Sequence, residues 1–418
     1  MTPLRSVKGM HDILPSEIAK WHFVERTYRE LVERFGYREV RTPILEPLEL
    51  FVRGIGEATD IVEKEMYAFE DKGGDRLALR PEGTASAMRA YIQHSVQVSE
   101  PLSKWYYVGP MFRRERPAKG RFRQFYQAGA ELIGAQEPTA DAEIIDMAVQ
   151  FVERLGIRDV KVQLNSLGDE ESRPVYREAL VAFFSRSRDA LCPDCRRRLE
   201  VNPLRILDCK VETCKGLASE APPVVEHLSL ASAEHFSQVR RLLDRYGTPY
   251  EVAPRLVRGL DYYTRTIFEI EGDAGELGAQ ATIVGGGRYD TLVSELGGRP
   301  TPAIGFSFGI ERLLMIIGGK EPAPQRLVFV AGVGNGGIDR AADLARSLRK
   351  AGCSVEASYG GGSLKSQLKR ADHMGATVTL IAGEDEAERQ SVTWRDMKDG
   401  KQHEVPLSEL TGRLGEVL

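Results

Sequence analysis

The 418 residues, with 42% apolar side chains, are enough for two or three hydrophobic cores. A formal net charge of −4 excludes a uniformly basic nucleic-acid binder, so any RNA contact must be local. No run approaches the roughly 18 apolar residues of a membrane helix, and the opening Met-Thr-Pro-Leu-Arg-Ser-Val-Lys lacks an apolar signal core, so a cytoplasmic protein with no membrane contact is expected.

From the N-terminus, Ser16 reads as the N-cap of a helix in which Ile18, Trp21, Val24, Tyr28, Leu31, Val32 and Phe35 recur at helical spacing until Gly36. Residues Val40 to Leu50 are broken by Pro43 and Pro47. A short strand at Met66 to Phe69 pairs with Arg76 to Leu79 across a turn rich in Gly and Asp. A helix opens near Thr84, a strand covers Trp105 to Val108, a helix runs from about Thr139 to Leu155, and a strand from Val160 to Leu164. Hairpin-linked strands in blocks separated by helices argue for an antiparallel α+β domain.

The span from about 168 to 240 changes character: helical stretches, a cysteine cluster and Ala221-Pro222-Pro223 suggest an insertion. Cys192-x-x-Cys195 and Cys209-x4-Cys214 have tetrathiolate spacing compatible with a structural zinc ion, and free thiols of a reducing compartment are the alternative. Strands return at Glu251 to Ala253, Ile267 to Ile270 and Ala281 to Val284, followed by Gly285-Gly286-Gly287. Pro322 to Gln325 reads as a linker. Beyond it, strands at Leu327 to Val330, Ser354 to Ala357 and Val378 to Ile381 alternate with helices, as in a small α/β domain.

Two segments carry chemistry. In Phe112 to Glu131, two strands joined by a basic tip at Arg114 to Gly120, odd positions would place Arg121, Arg123, Phe125, Gln127 and Glu131 on one face. Such a face suits a ligand with phosphates, a flat base and an amine. Gly332-Val-Gly334-Asn-Gly336-Gly337 satisfies G-x-G-x-x-G after a strand, with Glu356 further on. Only 94 residues remain from Gln325, too few for both halves of a dinucleotide-binding fold.

Ordered signatures then identify a resemblance. Lys8-Gly9-Met10 with Asp12 to Pro15, Arg80-Pro81-Glu82-Gly83-Thr84, the basic hairpin, Leu256 to Tyr263, Gly286-Gly287-Arg288-Tyr289-Asp290, and Gly305 to Arg312 together resemble histidyl-tRNA synthetase, a class II aminoacyl-tRNA synthetase family, over essentially the whole chain. The hairpin and Gly305 to Arg312 look like class II motifs 2 and 3, and Arg41 to Leu50 like motif 1, which implies a homodimer.

The resemblance implies a class II antiparallel catalytic domain over 1–321 with its helical insertion, and an anticodon-binding domain over 325–418. It implies ATP with Mg2+, L-histidine and tRNA(His) as substrates or partners. Arg113 and Arg258 would be catalytic, contacting the α-phosphate, with Arg113 also near the substrate carboxylate. Phe125 would stack on adenine, Arg121 would lie near the β and γ phosphates, and Arg312 would hold the γ-phosphate. Glu131 and Tyr263 would face the two imidazole nitrogens, Glu82 and Thr84 would take the α-amino group with Gln127 close by, and Tyr262 would be a further substrate-binding residue. Without that context Glu82 and Thr84 read equally as a helix cap after Pro81. Lys365, Lys369 and Arg370 would supply local charge for the tRNA. A catalytically silent class II paralogue, such as the regulatory subunit of ATP phosphoribosyltransferase, is the alternative.

Overall fold

Strand alternation in the first part of the chain sorts side chains onto two unlike faces, and the site follows from that sorting. In chain order the strands of the first unit are β1 (Arg38–Glu39), β2 (Leu45–Pro47), β3 (Tyr67–Glu70), β4 (Arg76–Leu79), β5 (Ser103–Phe112), β6 (Gln124–Ile133), β7 (Lys161–Ser166), β8 (Tyr250–Val252), β9 (Thr264–Glu271), β10 (Thr282–Arg288) and β11 (Ala303–Gly309). The computed structural model describes residues 3–56, 59–158, 160–272, 282–317, 326–360 and 362–417. It divides into two units, Met1–Lys320 and Glu321–Leu418.

Among the described residues, eight strands of the first unit form one sheet in the order β1-β5-β6-β11-β10-β9-β7-β8. Pairing is antiparallel except at the two edges, where β1 joins β5 and β8 joins β7 in parallel. The register sets Glu131 opposite both Trp105 and Gly305, Gly305 opposite Gly287, and Gly287 opposite Ile267. Directly paired residues share a face. One face therefore carries Tyr107, Gly109, Phe125, Gln127, Gly129, Glu131, Gly305, Ser307, Gly309, Gly285, Gly287 and Glu269. Tyr106, Ala128, Ala130, Leu132, Ile304, Phe306, Phe308, Val284, Phe268, Ile270, Val162 and Leu164 point the other way, into the main core.

Three helices cover that apolar face. Pro15–Arg34 buries Trp21, Val24, Tyr28, Leu31 and Val32; Pro138–Arg154 and Leu230–Tyr246 add Phe151, Phe236, Val239 and Leu243. Tyr28 meets Phe151 and Phe308 edge-on at 5.2 and 5.0 Å between ring centroids, and each large side chain fully buried in this way contributes about 1.5–3 kcal/mol. One charged group is sealed among them. Arg288, fully buried, is ion-paired with Asp141, which also accepts from His235 Nε2 at 3.1 Å. Burial opposes the Asp141 charge, but Arg288 and His235 outweigh it and hold the carboxyl at about 2.

Other details depart from the sequence reading. The first helix starts at Pro15, with Leu14 as a cap lacking a side-chain bond, so Ser16 lies inside the helix rather than capping it; proline at the first position supplies the helical φ instead. Strand geometry in the basic hairpin begins only at Gln124, so alternation does not extend to Arg121 and Arg123. Within the span read as an insertion, residues from Tyr176 to Val224 bury a cluster of their own containing Cys195, Cys209 and Cys214, while Leu230–Tyr246 belongs to the main core. The linker expected at Pro322 to Gln325, and Ala281 of an expected strand, lie outside the described residues.

The second unit holds β12 (Leu327–Gly332), β13 (Val355–Ala357), β14 (Ala376–Ala382), β15 (Ser391–Asp396) and β16 (Gln402–Pro406). Their order is β13-β12-β14-β15-β16, the first three parallel and the last two antiparallel. The β15–β16 hairpin went unread in the sequence, although Asp396 accepting the Lys398 amide at 2.7 Å closes its turn. The glycine-rich loop after β12 is filled from within: buried Gln367 bonds both the N–H and C=O of Gly332, at 3.1 and 2.8 Å, and the Glu384 carboxylate accepts the Asn335 amide at 2.8 Å. The amide a phosphate would use is occupied by a carboxylate.

Candidate active site

The glycine-paved face of the large sheet is the floor of the site, and missing Cβ atoms give it room. A Cβ on Gly305 would overlap the Glu131 carboxylate, one on Gly285 the Arg258 guanidinium, and one on Gly129 the Tyr107 ring. Polar groups can thus lie flat where side chains would ordinarily stand.

Glu131 is buried to 1% exposure. One of its oxygens accepts from Thr84 Oγ1 at 2.8 Å and Tyr107 OH at 3.1 Å, and the other from Tyr289 OH. Burial pushes its pKa up to about 8 against the lowering effect of these hydroxyls. Stability associated with that shift is fully present below the ordinary carboxylate pKa and is lost as the pH rises through about 8. Glu82, also buried, accepts the amides of Thr84 and Ala85 at 2.6 and 2.8 Å. It therefore caps the helix Thr84–Gln93 from two residues before it, and burial raises its pKa too. Gln127 Oε1 accepts from Gly83 N and its amide donates to Ser307 Oγ, both at 3.0 Å, which orients it on the floor.

The cations gather around one carboxylate and one threonine. Arg258 is ion-paired with Glu269, whose second oxygen accepts from Thr282 Oγ1 at 2.6 Å. Burial alone would lower the Arg258 pKa, but Glu269 more than offsets this and raises it. The carbonyl of that same Thr282 accepts from Arg312 Nη1 at 3.0 Å. Burial and then neighbouring Arg121 lower the Arg312 pKa, with Arg113 acting in the same sense. Arg113 donates from Nε to Pro81 O at 2.9 Å and lies 5.2 Å over the Phe125 ring. Arg312 therefore feels Arg121 and Arg113, and it is linked to Arg258 through Thr282 and Glu269.

Arg121 is paired with Glu115 at 3.0 Å and lies near Arg312. Arg123 departs from the expected face: it donates towards Glu115 O and Lys8 O at 3.4 and 3.5 Å, and its amide bonds Gly9 O at 2.7 Å. Outside the ladder, its side chain fastens the Lys8-Gly9 segment to the hairpin. Tyr262 and Tyr263 are buried with rings 4.8 Å apart; Tyr262 meets Tyr289 edge-on and Tyr263 lies 5.9 Å from the Arg258 guanidinium. Cys192, Cys195, Cys209 and Cys214 belong to the separate cluster, with all four Sγ atoms within 4.8 Å of one another.

Several members of the site were missed. Tyr107 and Tyr289 complete the hydroxyl set on Glu131, and Glu269 holds Arg258. The signal for Glu269 was present, a carboxylate at an alternating position of the apolar strand Thr264–Glu271. Glu311, beside Arg312, was also unremarked: it accepts the Tyr126 amide at 2.8 Å, and burial pushes its pKa up to about 7.

Known proteins resemble this chain along almost its whole length. The family model described as histidyl-tRNA synthetase matches residues 9–168 and 204–313, and that of an anticodon binding domain matches 327–416. The chain is 51% identical to a histidine–tRNA ligase of Sorangium cellulosum, over 97% of this chain and 94% of that relative. It is 48% identical to one of Geobacter metallireducens, over 99% and 100% of the respective chains. The crystal structure of apo histidyl-tRNA synthetase from S. aureus superimposes with a TM-score of 0.83 at 37% identity, covering 98% of this chain and 99% of that one. A class II catalytic sheet followed by an anticodon-binding domain with its own sheet, matched along almost the full length, places this chain in the histidyl-tRNA synthetase family.

Proposed function

We propose that this chain is a histidine–tRNA ligase that joins L-histidine to ATP, accompanied by Mg2+, and passes the histidyl group to the 3′-terminal ribose of tRNA(His). The observation that carries the mechanism is the Arg312–Thr282–Glu269–Arg258 chain on the sheet face that also holds Glu131 and Gln127. The alternative of a silent paralogue is not favoured, since the chain pairs end to end with ligases at about half identity.

In the first step a carboxylate oxygen of histidine attacks the α-phosphorus, the bond to the β-phosphate breaks and pyrophosphate leaves. No base is needed, because the nucleophile is already ionised. Two anions must instead be brought together, and fixed guanidiniums in a water-poor site reduce that cost. In this reading Arg113 and Arg258 face the α-phosphate, Arg121 and Arg312 the outer phosphates. Phe125, which carries Arg113 on its ring, offers the adenine its remaining surface. In the second step a ribose hydroxyl attacks the activated carbonyl and AMP departs.

Glu131 and Tyr263 recognise the imidazole edge. Tyr107, Tyr289 and Thr84 orient Glu131, and Glu82, Gln127, Tyr262 and Thr84 surround the α-amino group. Glu82 has two amides to cap but retains free lone pairs, since a carboxylate offers about four acceptor sites. Loss of such buried polar pairing would reject apolar analogues by about 10⁴-fold.

Three further readings accompany the reaction. Leu45, Pro47, Tyr67, Phe69, Leu77 and Leu79 share one face of the small sheet β2-β4-β3 by register, and Leu45 and Phe69 are 40% and 49% exposed; a second copy of the chain covers this face. In the C-terminal unit, exposed Tyr359 with Lys365, Lys369 and Arg370, Arg370 lying 6.0 Å from its ring, offers stacking and charge to single-stranded tRNA bases. The four cysteines hold Zn2+. Cys192 and Cys209 Sγ are 3.9 Å apart and the Cys192 amide donates to Cys214 Sγ at 3.2 Å, which fits thiolates placed about 2.3 Å from a tetrahedral ion. No helix among the described residues is long and apolar enough to cross a membrane, which is compatible with a cytoplasmic enzyme.

Replacement Arg258→Ala should lower histidine-dependent ATP/pyrophosphate exchange by about 10²–10³-fold, and Gly285→Ala should do so by about 10²-fold through displacement of the same guanidinium; near-normal exchange in both would remove Arg258 from the reaction. Histidine affinity measured by calorimetry should rise roughly tenfold between pH 6.5 and 8 as Glu131 ionises. Glu131→Gln keeps the ligand's own titration, so an unchanged slope in that variant would sink the assignment. Purified protein should sediment as a dimer that Phe69→Glu dissociates, and should contain about one zinc per chain; a monomeric parent, or metal well below that level, contradicts the respective reading.

A further inference from the structure

Arg258 sits on a segment that has no regular structure of its own. Between β8 and β9, residues 253–263 form neither helix nor strand, so their carbonyls lack ladder partners and must find others. Ala253 O accepts from Leu256 N at 2.9 Å, and further carbonyls find partners outside the segment. Leu256 O accepts from Asn165 Nδ2 at 3.0 Å. Arg258 O and Gly259 O accept from Arg205 Nη1 and Nη2 at 3.0 and 2.7 Å, and Asp261 Oδ1 accepts from Arg205 Nε at 3.0 Å. Asp261 O and Tyr263 O accept from Arg173 Nη2.

Arg205 thus spends its fork on three acceptors, the carbonyls of Arg258 and Gly259 and the carboxylate of Asp261, and its side chain is only 11% exposed. It stands in a 3₁₀ turn, Pro203–Ile206. Arg198 Nη1 reaches the Arg205 carbonyl at 3.4 Å, and the Cys209 amide bonds Ile206 O at 3.1 Å, tying that turn to the thiol cluster. At the other end of the same residue, Glu269 fixes the Arg258 guanidinium. The backbone of Arg258 is held by one element and its head by another.

We infer that Arg205 is a positioning residue for Arg258: the cysteine-bearing segment sets where the reactive guanidinium lies, although Arg205 touches no substrate. The inference rests on the role given to Arg258 above. Its charge alone does not suffice, because three acceptors in a fork require a planar guanidinium and a lysine ammonium cannot span them. Misplacing a group at a reacting centre by about 1 Å costs about 10²-fold.

The test is histidine-dependent ATP/pyrophosphate exchange on the full chain with Arg205→Ala, Arg205→Lys, Arg258→Ala and the Arg205→Ala/Arg258→Ala double variant. Arg205→Ala should lower kcat by about 10–100-fold, Arg205→Lys should recover only part of it, and the double variant should fall within about threefold of Arg258→Ala alone. Methylguanidine added to Arg205→Ala should restore exchange, and added to the double variant should not. A double variant whose loss equals the product of the single losses, or an Arg205→Ala enzyme near wild type, overturns the inference. Should Arg205→Ala fail to fold by thermal unfolding, Arg205→Lys in the presence and absence of Arg258→Ala gives the same comparison. Arg258→Ala measured alone separates the two readings: if it is silent the role of Arg258 fails, whereas if it is impaired and Arg205→Ala is not, only the positioning role fails.

Discussion

Charged groups can lie on the floor of this sheet only because the strands beneath them lack Cβ atoms. Gly129, Gly285 and Gly305 each make space for a named polar side chain, Tyr107, Arg258 and Glu131 respectively. Glycine weakens a strand by roughly 0.5–1 kcal/mol relative to alanine, and several sit in the middle of an eight-stranded sheet. The opposite face, paved with Phe268, Phe306, Phe308 and the alanines of β6 against three helices, supplies the apolar burial that makes such a face tolerable.

Electrostatics on the polar face follow from the same depth. Glu131 is driven towards neutrality by burial even with three hydroxyls donating to it, whereas Arg258 keeps its charge because Glu269 lies against it. On the proposed function, a neutral ligand edge and a polyanion make opposite demands, and the face offers a separate end for each. Carboxyl and hydroxyl groups cluster around Glu131, and guanidiniums gather around Thr282 and the hairpin tip. Glu131 is held by hydroxyls, whereas Arg258 and Arg121 are each held by a carboxylate of their own, Glu269 and Glu115.

The two-sided sheet also explains how a helical segment with a separate core can bear on the chemistry. Residues Tyr176 to Val224 bury a core of their own, and Leu204 also packs against the cluster around Tyr262, Tyr263 and Ile267. Polar bonds join them as well: Arg205, and Arg173 just before that core, donate to the segment that carries Arg258. Apolar contact at Leu204 sets distance, and guanidinium forks bonded to carbonyls set direction as well.

Much of this was legible in the chain. The ordered signatures, the helical spacing of Pro15–Arg34 and the alternation of Phe125, Gln127 and Glu131 needed only the residues, because period and local turn chemistry are properties of neighbours in sequence. The placing of Arg123 was not legible, since whether a strand extends past Gln124 depends on the Lys8-Gly9 segment lying against it. Nor were the meetings of Tyr107, Tyr289, Glu269 and Arg205 with their partners. Each meets its partner across at least 11 residues of chain, from Glu269 to Arg258 up to 158 from Tyr289 to Glu131. Sequence alone determined family, elements and which side chains carry charge; tertiary structure decided which of them meet, because strand register and loop anchoring bring together groups that no local rule relates.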